Sequence, residues 1–128
     1  LQFIQTENLQ DRFILQTPVN AEISQEYLNA SIYVMSSRFE AFPMVLLEAM
    51  SVGVPCISFN CPSGPSDIIA NNVDGILVEK ENTDKLAEAI SELIKDEGKR
   101  KQMGENAYNN ISRFSPDNIY KLWEGLIK

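Results

Sequence analysis

The sequence has no histidine among its 128 residues. That excludes histidine general acid–base chemistry and imidazole metal ligation. Cysteine is nearly absent, with only Cys56 and Cys61. Cys56 falls in an apolar run and Cys61 in the loop after it, so no disulfide is expected and a reducing compartment fits. Neither stands among cations that would lower a thiol pKa, so both are read as inert. No run of eighteen apolar residues occurs, which excludes a membrane-spanning helix. The opening residues carry no signal-peptide pattern, and the chain starts with Leu1 rather than Met, so an excised piece of a longer protein is expected. Basic residues are few: 11 Lys plus Arg face 18 Asp plus Glu, a net charge of −7. With a pI near 4.5, this excludes a basic nucleic-acid footprint and electrostatic membrane docking by this segment. The acidic balance is read as a solvated surface.

What is present is enough for a core, since 44% of residues are hydrophobic. Length allows one domain or part of one. Leu1 to Leu9 reads as the tail of a helix, followed by a turn through Asp11. Residues 12–16 read as a strand bounded by Thr17-Pro18, and Ala21 to Ala30 as a short helix with Ile23, Tyr27 and Leu28 on one side. Ile32 to Met35 and Pro55 to Phe59 are apolar runs of the kind buried parallel strands show. Between them Pro43 to Val52 reads as a helix. Residues 60–65 form a breaker-rich loop, Ser66 to Ala70 a short helix, and Gly75 to Glu79 a further strand. From Thr83 onward the pattern is helical. Ser115 is expected to cap a last helix with Pro116 at its first position and Ile119, Leu122, Trp123, Leu126 and Ile127 on a buried face. Trp123 is accordingly read as core or domain-interface packing. No internal repeat or low-complexity stretch appears.

Strands alternating with helices at this spacing predict an α/β fold: a Rossmann-like parallel sheet of about four strands, helices on both faces, and a helical C-terminal tail. Ligands bind such sheets at the carboxyl ends of the strands. The loops expected there are 17–20, 36–42 and 60–65.

The second of these loops leads into the most informative stretch, Ser36 to Met50. Pro43 suits a first helical position, and the amides just inside a helix start have no intrahelical partner. They carry the positive end of the helix dipole, which suits a phosphate. Glu40 precedes that start. Glu48 lies beyond it by a rise of about 7.5 Å from Pro43, a gap that a diphosphate-linked sugar and its ribose could span. The apolar neighbours of Glu48 predict a well-buried helix, where a carboxylate needs a partner, and a ribose offers hydroxyl donors. Arg38 is expected either to neutralise phosphate or to pair with Glu40.

The flanked pair S-R-F-E-A-F-P-M-V-L-L-E-A-M, with G-V-P-C-I-S, N-C-P-S-G-P-S-D-I-I, V-D-G-I-L-V and R-F-S-P-D-N-I in that order, resembles the retaining nucleotide-sugar glycosyltransferases of family 4, which have the GT-B fold. The resemblance spans essentially the whole chain and implies that residues 1–128 are the later part of a C-terminal, donor-binding domain, the acceptor domain lying outside it. It implies that Glu40, with the amides of Ala41 and Phe42, holds the donor sugar, Glu40 being the catalytic-site residue. The Met44 and Val45 amides would hold the distal phosphate, Glu48 the ribose, and Pro18 and Val19 the base. Alanine stands at position 41 and proline at 43 where the family commonly has glycine. The resemblance implies a nucleotide diphosphate sugar as donor substrate, no metal or other cofactor, and a glycan or lipid-linked acceptor bound by the missing N-terminal domain. It implies a cytoplasmic place, or a peripheral one at the inner face of the membrane for the whole protein.

The full enzyme would thus transfer a hexose in polysaccharide or cell-envelope biosynthesis, and the fragment alone is expected to be inactive. Rival readings are a sugar-nucleotide epimerase of the same fold and a non-catalytic sugar-nucleotide-binding module. The strand at 12–16 is expected to pair beside Ile32–Met35 or, through an exposed edge, with a second copy in a dimer.

Overall fold

The computed structural model describes residues 2–16 and 23–127. Among these, the element order is α1 (Gln2–Thr6), α2 (Ile23–Asn29), β1 (Tyr33–Met35), α3 (Met44–Ser51), β2 (Cys56–Asn60), α4 (Pro65–Ile68), β3 (Gly75–Glu79), α5 (Thr83–Lys95), α6 (Glu97–Asn110), a 3-10 turn (Ile111–Phe114) and α7 (Pro116–Leu126). The sheet is three-stranded in the order β1-β2-β3 and parallel throughout. Tyr33 pairs with Cys56, and Cys56 in turn with Gly75.

β2 is central, and its first four residues are buried. Side chains alternate across a strand, so Cys56 joins one core and Ile57 and Phe59 the other. The first core packs Tyr27, Met35, Leu46, Ala49, Met50, Ile68 and Ala107, drawing in α2, α3, α4 and α6. The second packs Ile76, Val78, Ala89, Leu93 and Met103, drawing in α5 and α6. Helices therefore cover both faces, as the α/β reading requires. Side-chain caps fix several helix starts: Asn82 Oδ1 accepts from the Lys85 amide at 3.0 Å, Asp96 Oδ1 from Lys99 at 2.8 Å, and Ser115 Oγ from Asn118 at 3.3 Å with Pro116 at the first turn.

Asp74 is fully buried in the turn before β3. Its carboxylate accepts from the Ala70 amide at 2.7 Å and from Asn110 Nδ2 at 3.1 Å. Asn106 Nδ2 donates to the Val73 carbonyl at 2.8 Å. α6 thus clamps the turn through two asparagines one helical turn apart. In the middle of α6 Gly104 lies against the Gly53 carbonyl, closer than any β-carbon would permit.

Two expectations are corrected. Residues 12–16 form no strand, so the sheet has three strands among the described residues, and Phe13, Ile14 and Leu15 are exposed. The Arg12 and Phe13 amides both donate to the Leu9 carbonyl, at 2.9 and 3.1 Å. That local turn consumes donors a ladder would need, and none of the described residues covers the apolar run that follows. The supposed buried face of α7 is also not buried. Leu122, Trp123, Leu126 and Ile127 are all more than half exposed, and Ile119 is half-buried. Helical periodicity shows that a face is apolar and leaves open what covers it.

Candidate functional site

The carboxyl ends of β1, β2 and β3 carry the loops 36–43, 61–64 and 80–82. The first two are pressed together. Gly64 takes φ +97°, and a β-carbon there would stand 3.0 Å from the Ala41 carbonyl oxygen and 3.2 Å from Phe42 Cα. Ser63 before it has φ 67°. Phe42 also meets Phe114 of the 3-10 turn edge-to-face at 5.9 Å between centroids. Arg113 lies 4.8 Å over the Phe114 ring and donates to the Ile68 carbonyl. The Ala41–Pro43 backbone is therefore held by one loop from beside it and by one aromatic from the helical tail.

Pro43 is the N-cap of α3, with φ −75° and ψ 95°, so the helix begins one residue later than its proline suggests. The Leu46 amide reaches back to the Pro43 carbonyl at 3.1 Å. The amides left without an intrahelical acceptor are then those of Met44 and Val45, and α3 supplies them with the positive end of its dipole. Met44 is exposed and Val45 half-buried, so this start opens toward solvent.

Glu40 is half-buried and Ala41 and Phe42 are exposed. Glu48 is exposed, which corrects the expectation of a buried carboxylate. Leu46, Ala49 and Met50 form the buried face of α3. Glu48 follows Leu46 by two residues, about 200° around the helix, and so points outward. It still has a partner: the Tyr27 hydroxyl donates to Glu48 Oε2 at 3.1 Å. Tyr27 is 5% exposed and packs edge-to-face on Tyr33 at 5.6 Å. Burial, then the hydrogen bond to Glu48 and its charge, push the Tyr27 hydroxyl pKa up from 10.0. Burial, then Cys56, Glu40 and Glu48, push Tyr33 up as well. Both carboxylates are thus felt by one tyrosine at the start of β1. Sequence reasoning placed Tyr27 only on an apolar helix face; the available signal was that a buried tyrosine needs a partner for its hydroxyl.

Arg38 does not pair with Glu40. Its Nε pairs with Glu81 Oε1 at 3.0 Å across the first and third loops, with both side chains largely exposed. Pro18 and Val19 lie outside the described residues. Among the described residues no group of three His, Cys, Asp or Glu gathers to hold a metal ion, and no helix is long and apolar enough to cross a membrane.

The arrangement leaves the Met44 and Val45 amides free at the start of α3, with Glu40 before them and Glu48 after them in sequence. The chain is 40% identical over 96% of its length to an exopolysaccharide phosphotransferase of Streptomyces coelicolor, of which it covers 13%. The fold matches the lipopolysaccharide outer core galactosyltransferase WaaB with a TM-score of 0.85 and 30% identity, over 98% of this chain and 36% of that one. It matches Anabaena HepE in complex with UDP-glucose with a TM-score of 0.79 and 26% identity, over 88% of this chain and 30% of that one. The chain therefore spans between about an eighth and about a third of these relatives. The family described as "Glycosyl transferases group 1" matches residues 2–110. On that match, and with the fold that accompanies it, the chain belongs to the group 1 glycosyl transferases, the family 4 GT-B proteins that the Glu40–Glu48 stretch resembles.

Proposed function

We propose that this chain is the nucleotide-sugar-binding part of a retaining glycosyltransferase. The whole protein transfers a hexose from a nucleotide diphosphate sugar to a glycan or lipid-linked acceptor, in polysaccharide or cell-envelope biosynthesis. The observation that carries the reading is the α3 start, where the Met44 and Val45 amides lie between Glu40 and Glu48 at the carboxyl end of a parallel sheet. The UDP-glucose held by HepE supports a nucleotide-sugar donor, and WaaB supports hexose transfer in envelope biosynthesis.

In this reading Glu40 and the amides of Ala41 and Phe42 hold the donor sugar. The Met44 and Val45 amides take the distal phosphate. Glu48 accepts from ribose hydroxyls, and the base falls to Pro18 and Val19. Bond cleavage at the anomeric carbon leaves charge on the diphosphate. Preorganised amides and a helix dipole stabilise that charge most when it develops, which lowers the barrier. No metal and no protein nucleophile are required. The acceptor is bound by residues outside this chain.

The test is product analysis on the whole protein, supplied with UDP-glucose and other nucleotide hexoses and with glycan and lipid-linked acceptors. Transfer of the bare sugar with its anomeric configuration retained is expected. An epimerised donor formed without acceptor would reassign the protein as an epimerase. Transfer of the sugar together with its phosphate would reassign it as a phosphotransferase. Donor binding without turnover would make it a non-catalytic module.

A further inference from the structure

We infer that Tyr27 is a positioning residue, whose hydroxyl fixes the Glu48 carboxylate in the direction a donor ribose needs. The inference rests on the reading of Glu48 as the ribose contact. Glu48 is exposed on α3, and a long acidic side chain there samples many rotamers. Among the described residues, the only side-chain donor recorded on its carboxylate is the Tyr27 hydroxyl, on Oε2 at 3.1 Å. Tyr27 itself is 5% exposed and locked by its edge-to-face contact with Tyr33. An immobile donor thus holds one oxygen of a mobile acceptor and leaves the other for ligand.

The chemistry is one-sided. A phenol can donate one hydrogen bond, and a carboxylate can only accept. Burial and the Glu48 charge both favour the protonated phenol, so the donor persists through the physiological range. Holding the carboxylate in advance removes an ordering cost from ligand binding. The contact joins α2 to α3 across 21 residues of sequence, so the seating of α2 is linked to the ribose contact.

Tyr27→Phe deletes the hydroxyl and keeps the ring against Tyr33. The whole protein is titrated by calorimetry with UDP, GDP and ADP, and the tightest binder is carried forward with its 2′,3′-dideoxy counterpart. We expect Tyr27→Phe to weaken the ribose form roughly three- to tenfold, leave the dideoxy form unchanged, and raise donor KM with little change in kcat. Combined with Glu48→Ala it should add nothing to the loss from Glu48→Ala alone. Equal losses on both nucleotide forms, or no loss on either, would show Tyr27 to be only a packing residue and overturn the inference. If Glu48→Ala itself leaves affinity for the ribose form unchanged, or no nucleotide binds, the ribose reading fails and the inference with it.

Discussion

Gly64 stands so close to Pro43 that a β-carbon added to it would lie 2.5 Å from Pro43 Cδ. The backbone of the β2–α4 loop therefore serves as a seat for the residue that starts α3. Glycine is required twice over, by contact and by a φ of +97°.

Gly64→Ala should consequently lower stability by about 1–3 kcal/mol, the usual cost of a strained left-handed backbone. It should also loosen nucleoside diphosphate binding, because Pro43 must shift and carry the Met44 amide with it. Urea unfolding checks the first effect and calorimetric titration the second. A variant with unchanged midpoint and unchanged affinity would show that the two loops move independently.

Asp74→Ala should cost about 1–3 kcal/mol, because the half-buried Ala70 amide and Asn110 side chain both lose their partner. Asn110→Ala should cost less, since Asp74 keeps its bond to Ala70. Comparing the two urea midpoints tests the order; equal losses would place the whole effect on the Asn110 contact.

Alkaline stability should be governed first by Cys56. Burial, then the charge of Asp74, push its thiol pKa from 9.0 up to about 12. Between those values the folded chain holds a proton that the unfolded chain has released, so stability falls as pH rises, by at most about 1.4 kcal/mol per pH unit for one group. Tyr27 and Tyr33 act in the same direction from 10.0 upward. Denaturation midpoints of the parent should decline from near pH 9, and those of Cys56→Ala only from near pH 10, the ordinary values of the thiol and the phenols. Parallel decline of both proteins would remove the thiol from the account.

Two glycines in helices should respond oppositely to the same substitution. Gly104→Ala drives a methyl group into the Gly53 carbonyl and should destabilise, pushing α6 off the turn after α3. Gly125 on α7 has nothing within 4 Å, and Gly125→Ala should stabilise by up to about 1 kcal/mol through helix propensity. Thermal unfolding of the pair gives the sign of each.

Much of this arrangement could be read from local chemistry. The run Pro55–Phe59 announced a buried strand because every residue in it is apolar or small. Ser115-Pro116 announced a helix start because cap and first turn are adjacent in sequence. The α3 start followed from Pro43 and the missing acceptors inside it, within one residue. The failures have two causes: local geometry that composition does not reveal, and partners distant in sequence. Residues 12–16 have strand composition, yet the Leu9 carbonyl takes their first amides. Glu48 has apolar neighbours, yet the phase set by Leu46, Ala49 and Met50 turns it outward. Its link to Tyr27 joins residues from separate helices, and no local pattern announces it. Arg38 finds Glu81 only because two loops at the ends of different strands approach each other.

The sheet is ordered as the chain is, β1, β2, β3, with each new strand added beside the one made just before it. Contacts that are near in sequence close small loops, which costs little entropy and makes folding fast. Such a module can assemble stepwise during translation, each strand docking as it leaves the ribosome, without waiting for a later segment to be threaded between strands already paired. The start of α3 would then be in place as soon as β2 and the Gly64 loop have emerged.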